Sequence, residues 1–131
     1  YKLDTQISND ELKNNLILIG GPKVNMVLYK INKKLKVYLD EEKDWNIITP
    51  KASYAEEFIG VLQRTKNPFN KEKEILVIEG KRFKGTKAAL IAFIKYYDQI
   101  INKKDFYLIV KGIDKDNDGI VDDAEIVESN L

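Results

Sequence analysis

Residues 114–125 read DKDNDGIVDDAE, the stretch of this chain whose residue types and spacing most directly suggest chemistry. Asp114, Asp116 and Asp118 stand at alternate positions, Gly119 follows, and Glu125 closes the run, which fits the Asp-x-Asp-x-Asp-Gly-x5-Glu pattern of an EF-hand calcium loop. Calcium is a hard cation that takes about six to eight oxygen ligands, and the pattern offers them in order. Asp114, Asp116 and Asp118 supply the first three carboxylates, Gly119 allows the sharp turn, and Ile120 offers its backbone carbonyl. Asp122 acts through a water, and Glu125 binds with both oxygens. Within the loop six acidic side chains face one lysine, so the carboxylates repel one another unless a cation neutralises them.

A solvated acidic turn is the plainer reading, because Asp, Asn and Gly also favour loops. The entry to the loop is unusual for an EF-hand. FYLIVKGI, at 106–113, is β-branched and aromatic and reads as a strand where a helix is expected. The chain shows no second loop of this kind, and sensor behaviour needs a helix pair that opens. A structural Ca²⁺ is therefore the expectation.

The 131 residues contain no Cys and no His, which removes thiol nucleophiles, disulfides, imidazole catalysis and the usual zinc ligands. Net charge is +1, but residues 1–113 carry +7 and residues 114–131 carry −6. Lysines number 20 and arginines 2, and since Arg is the residue that forks onto phosphates, nucleic acid is not an expected partner. No apolar run approaches the length that spans a membrane. The chain opens on Tyr1 with no initiator Met and no secretory signal, which reads as an excised piece or a mature fragment.

Two glycine loops offer alternative chemistry. GGPKVN at 20–25 follows an apolar strand, with Asp40 ending the next strand, as in a dinucleotide site, but Gly-x-Gly-x-x-Gly is absent and Pro22 lacks a donor. GKRFKGTK at 80–87 nearly matches a P-loop from Gly80 to Gly85, with the final pair inverted as Thr86-Lys87. The plain alternatives are a tight turn and a basic loop with Thr86 as a helix N-cap, on which an anion could rest. Asp40, Glu56 and Glu79 are candidates for paired-carboxylate hydrolysis that sequence cannot place. A calcium-assisted carbohydrate module would show itself through exposed Trp45 or Tyr side chains, although aromatics in these apolar patterns mostly pack a core.

The elements that position these residues follow from periodicity. Residues 1–15 suggest an edge strand and a short helical turn after Asn9. LILI at 16–19 is a buried strand, and Pro22 or Asn25 starts a helix to about Lys33. Strands are expected at 35–39, 45–48, 74–79 and 106–110, while 54–66 reads either as a helix, with Tyr54, Phe58, Val61 and Leu62 on one side, or as a strand from Phe58 to Thr65, the strand being favoured. Thr86 caps a helix from Lys87 to Ile101 whose apolar stripe is Leu90, Ile91, Ile94, Tyr97 and Ile101. The end of the chain, 126–131, reads equally as short helix or strand. Strand, turn, helix, strand occurs at 16–39 and at 74–110. The expected fold is one α/β domain over residues 1–131: a single mixed, mostly parallel sheet flanked by helices, with the calcium loop at its C-terminal end.

Three segments, NLILIGGPKVN (15–25), KNPFNKEKEILVIEGKRFKGTKAAL (66–90) and YLIVKGIDKDNDGIVDDAEIVE (107–128), resemble archaeal surface-layer (S-layer) proteins and related archaeal cell-surface proteins. The resemblance implies a structural, non-catalytic module at the cell surface or envelope. Its partners would be calcium and other surface-protein copies or domains. It carries over no catalytic residue. Gly20, Gly21, Pro22 and Asn25 match its signature without an assigned ligand. An extracellular setting supplies millimolar calcium, enough to fill even a weak loop.

Overall fold

The computed structural model describes residues 2–131. Eight strands and three α-helices follow one another: β1 (Leu16–Gly20), α1 (Met26–Ile31), β2 (Tyr38–Asp40), β3 (Asn46–Ile48), β4 (Ser53–Tyr54), β5 (Ile59–Asn67), β6 (Asn70–Gly80), α2 (Phe83–Lys95), α3 (Tyr97–Ile100), β7 (Phe106–Ile113) and β8 (Asp123–Ser129). The expected single sheet is in fact two. Five strands in the order β1-β6-β5-β7-β8 form the larger one, and β2-β3-β4 form a smaller one.

The larger sheet is mixed but not mostly parallel. Only β1 and β6 run parallel, from Leu16 opposite Ile75 to Gly20 opposite Glu79. The pairs β5–β6, β5–β7 and β7–β8 are antiparallel. Two hairpins account for the first and last of these pairs, because a short connection can only join antiparallel neighbours. The first turns at Asn67–Asn70. The Asn67 side chain is buried there, accepting from Phe69 N at 2.8 Å and donating to the carbonyls of Leu12 (2.8 Å) and Asn14 (2.7 Å). The second hairpin is β7–β8, with the acidic loop at its tip. The two strand–helix–strand units therefore end differently than expected. The strand after α1 leaves for the small sheet, and β5 is inserted between β6 and β7, which run the same way with α2 between them in sequence.

Local signals at α1 hold. Asn25 is its N-cap, with Oδ1 accepting from Val27 N (3.0 Å) and Leu28 N (3.1 Å). Val27, Leu28 and Ile31 then bury against Leu18, Ile75 and Val77 on one face of the large sheet. The small sheet covers the rest of that face, where Val37, Leu39 and Ile47 meet Val61, Tyr107 and Ile109. No strand forms among the described residues before β1, where a 3₁₀ turn at Glu11–Lys13 follows reciprocal bonds between Ser8 and Glu11.

The opposite face carries α2, and here the expected helix is corrected. It begins at Phe83 with Arg82 at the N-cap, so Thr86 lies inside the first turn, and the helix breaks at Tyr96 before α3. Its buried face is Gly85, Ala88, Ala89 and Ala92, packed on Leu62, Ile78, Leu108 and Val110. Leu90 and Ile94, read as core from the sequence, are exposed, Ile94 to 78%. The cause is proximity. A Cβ on Gly60 would stand 2.1 Å from the Gly85 carbonyl oxygen, and one on Gly85 would stand 2.2 Å from that of Ile59. A helix this close to a sheet has room for only the smallest side chains between them.

Candidate functional site

β7 buries Phe106–Val110, runs on to Ile113 and delivers Asp114 at the rim of the sheet. The acidic loop then returns through Asp122, whose amide bonds the Ile113 carbonyl at 2.9 Å and closes the hairpin into β8. Side chains organise the backbone between these points. Asp114 Oδ2 accepts from Gly119 N at 2.7 Å and Oδ1 from Asp118 N at 3.3 Å. Asp118 Oδ1 accepts from Ile120 N (2.9 Å), and Asp122 Oδ1 from Lys115 N (3.0 Å). Asn117 (φ 58°) and Gly119 (φ 85°) take left-handed conformations that tighten the turn. Val121 points inward, buried against Gly112, and anchors the loop to the core beneath α2.

Carboxylate oxygens of Asp114, Asp116 and Asp122 all lie within 4.8 Å of one another. Asp118 and Glu125 do not join that set. Ile120 is exposed, and Glu125 lies on β8 opposite Lys111, because the chain leaves the loop as a strand rather than as the exit helix of an EF-hand. The charges are tightly linked. Asp116 is pushed up from its ordinary value by hydrogen bonding to Asp114 and Asp118. At Asp114 desolvation pulls upward, but the amides of Gly119 and Asp118 and the Asp116 carboxyl outweigh it and hold the group low. Such a set can share a proton or hold a hard cation through the same oxygens. The donor chemistry, all carboxylate, fits Ca²⁺ and leaves at least half the coordination shell to other oxygens.

Sequence reasoning missed how the loop is tied down. Asp123 sits between Lys95 Nζ at 3.0 Å and Lys115 Nζ at 3.1 Å. The Lys95 hydrogen bond is the largest influence holding Asp123 down to about 2, and Asp123 in turn raises Lys95. Lys95 also donates to the Ala124 carbonyl at 2.9 Å, fixing the start of β8 to the end of α2. A second missed cluster lies on the other face. Glu128 accepts from Thr49 Oγ1 (3.0 Å), Tyr54 Oη (2.9 Å) and Tyr107 Oη (2.7 Å), and both tyrosines are pushed up to about 12, by burial first and by Glu128 second.

The two glycine loops converge at the carboxyl ends of β1 and β6. Gly20, Gly21 and Pro22 share with Gly80, Arg82 and Thr86 a cavity of about 370 Å³. A Cβ on Gly21 would stand 2.7 Å from the Gly80 carbonyl oxygen, so this glycine is needed for close approach of the two loops. Two basic side chains of the second loop, Lys81 and Arg82, are engaged elsewhere. Lys81 Nζ bonds Asn46 Oδ1 (3.1 Å), Ala55 O (3.2 Å) and Asp44 Oδ2 (3.3 Å), and Arg82 Nε lies 3.5 Å from Glu57. Of the carboxylates considered for hydrolysis, Asp40 caps a 3₁₀ turn through Glu42 N (3.1 Å) and Glu56 is exposed. Glu79 is wholly buried with neither oxygen hydrogen-bonded, and burial pushes it up to about 8. Trp45 is half-buried against the small-sheet core.

These features define an α/β module whose polar side chains chiefly join its own elements. Residues 1–97 match the S-layer like family, outer domain, and the chain belongs to that family. It is also 36% identical, over 101 residues, to an uncharacterized protein of Methanocaldococcus jannaschii, MJ0954; the match covers 74% of this chain and 20% of that protein. No solved structure matches the chain. The family match ends inside α3, so the acidic loop and its hairpin lie outside it, and the resemblance read at 107–128 is not part of that match. Among the described residues no helix is long and apolar enough to cross a membrane.

Proposed function

We propose that this chain is a structural, non-enzymatic module of an archaeal cell-surface protein, exposed outside the cell, with one Ca²⁺ held in the loop 114–125. The family match carries the surface role. The loop sequence supports the ion, together with the close approach of Asp114, Asp116 and Asp122. In this reading these three carboxylates form the floor of the site. Asp118, the Ile120 carbonyl and Glu125 complete it when the ion draws the loop inward. The ion's work is to replace repulsion among the carboxylates with attraction, which stiffens the β7–β8 hairpin at the sheet edge. Surroundings at millimolar calcium suit a site of modest affinity, about 10⁻⁴–10⁻³ M, the range of extracellular modules.

Titration calorimetry with Ca²⁺ and Mg²⁺ on the wild type and on Glu125→Ala tests this. Saturable heat with one Ca²⁺ per chain, weakened in the variant and absent for Mg²⁺, is expected. No heat at millimolar Ca²⁺ would refute the metal assignment. The glycine-loop cavity gives a second measurement, since a thermal shift with ATP or NAD would turn the reading toward a nucleotide-binding domain.

A further inference from the structure

β1 and β6 are parallel neighbours, and the chain leaves them toward opposite faces of the sheet. After β1 it runs through 20–25 into α1, which packs on the face that the small sheet shares. After β6 it runs through 80–82 into α2 on the other face. Parting in this way leaves a crevice outside the carboxyl ends of the two strands, which is where open α/β sheets take their ligands. The cavity of about 370 Å³ between the two glycine loops lies in that crevice, and its size is that of a small-molecule site. Backbone holds its walls together, for Gly21 meets the Gly80 carbonyl and the first turn of α2 presses its Thr86 amide against Gly80.

The groups around the cavity favour negative charge. Lys23 lines it and makes no ion pair among the described residues. Thr86 adds a hydroxyl to the wall. No side chain caps α2, and the amides of Phe83 and Lys84 find no acceptor among the described residues. Glu79 is an independent sign of a missing partner. It stands opposite Gly20 and next to Gly80, both walls of the cavity, and shares its face of the sheet with Val61, which packs on Leu39, a further wall. A wholly buried carboxyl with neither oxygen bonded calls for an explanation. Burial keeps it protonated up to about 8, so at neutral pH it backs the cavity as a hydrogen-bond donor and not as a repelling charge. The rim is apolar, with Phe83 and Val24 exposed to 78% and 77%.

We propose that this cavity binds a small anion, a phosphate or carboxylate carried on a compact apolar body. The anionic group sits at the start of α2, with Thr86 and Lys23 beside it, and the body lies against Phe83 and Val24 at the rim. Lys81 and Arg82 are held by other partners and add only to the local field. The Gly-x-Gly-x-x-Gly run of a dinucleotide site is absent, so the ligand is a small ester or acid rather than a dinucleotide. Binding here adds recognition to a structural module and requires no turnover. It does not depend on the calcium loop, which lies across the sheet between β7 and β8.

Amide NMR of the whole chain, titrated with phenyl phosphate, benzoate, inorganic phosphate and benzyl alcohol up to about 10 mM, tests it. Saturable shifts confined to 20–24 and 80–86 are expected with phenyl phosphate or benzoate, and the tighter of the two tells which headgroup the site prefers. Benzyl alcohol has a similar ring and no charge, and should bind at least about tenfold more weakly. Phe83→Ala, at an exposed side chain, should weaken the preferred ring-bearing anion about fivefold and leave inorganic phosphate unchanged. Lys23→Glu should weaken every anion about tenfold. Unshifted amides elsewhere in the spectrum verify that each variant is folded. No saturable shift at either loop would overturn the proposal, as would shifts spread over all lysine-bearing surfaces. Equal binding of benzyl alcohol, or full anion binding in both variants, would overturn it as well.

Discussion

Tyr54 on the small sheet donates its hydroxyl to Glu128 on the edge strand of the large one, at 2.9 Å, across 74 residues of sequence. The same carboxylate takes Tyr107 Oη and Thr49 Oγ1, so one side chain ties β4, β7 and β8 together. Glu128→Ala should cost about 2 kcal/mol or more, since three hydroxyl donors lose a charged acceptor, whereas Tyr107→Phe should cost about 1 kcal/mol. Glu128 is held below its ordinary value by these donors, against the upward pull of desolvation. Its contribution is therefore complete above the unfolded-state value near 4.5 and declines as pH falls through the lower folded one. Urea melts of the wild type and both variants at pH 7 and pH 3 measure this, and the gap to Glu128→Ala should narrow in acid.

Gly60 and Gly85 set the distance between α2 and the sheet. Alanine at Gly60 would drive its Cβ into the Gly85 carbonyl oxygen and close to Ala89, both part of packed backbone that cannot step aside alone. Gly60→Ala is expected to destabilise by about 3 kcal/mol, at or beyond the upper end of ordinary overpacking. Gly119→Ala meets no atom within 4 Å, but its φ of 85° makes alanine strained, and about 1 kcal/mol is expected. Chemical denaturation ranks the two.

Glu79 gives the chain a pH dependence opposite in sign to that of Glu128. Its folded value of about 8 stands above the ordinary 4.5, so the native state holds a proton that the unfolded chain releases. Stability from this group is greatest below pH 4.5 and falls as pH rises to about 8, by up to about 1.4 kcal/mol per pH unit. Glu79→Gln should flatten that slope, and at pH 9 the variant should be more stable than the wild type. Melting temperatures from pH 5 to pH 9 decide it.

What could be read from the sequence was local. Asn25 as a cap and the turn at Asn67-Pro68 depend on neighbours a few residues away, and both are present, whereas 54–66 fits helix or strand by its own residues and is a strand from Ile59. Partner choice between strands is set over long separations, and β5 entering between β6 and β7 left no trace in either strand's own pattern. The stripe on α2 misled because Leu90 and Ile94 outweigh alanines on any hydrophobic scale, while contact with the sheet at Gly60 requires the small residues. At the loop the acidic residues were legible as a set. Lys95 was not, since it reaches Asp123 from 28 positions away on a different element.

The ionisation of Asp116 links the loop to acidity. Hydrogen bonds with Asp114 and Asp118 raise it, so in the proposed site protons would compete with calcium as pH falls toward the carboxylate range. Asp116→Asn keeps the shape and removes the charge, and is expected to weaken calcium about tenfold while raising the metal-free melting temperature slightly, since one repelling carboxylate is gone.

The most direct measurement is the melting temperature of the wild type in 5 mM Ca²⁺ and in a chelator, at pH 7, beside Asp116→Asn (~5 mM being well above the expected affinity). A rise of several degrees in the wild type, absent with Mg²⁺ and reduced in the variant, is expected. Superimposable melts with and without calcium would show that the acidic loop holds its fold through its own hydrogen bonds and binds no structural ion.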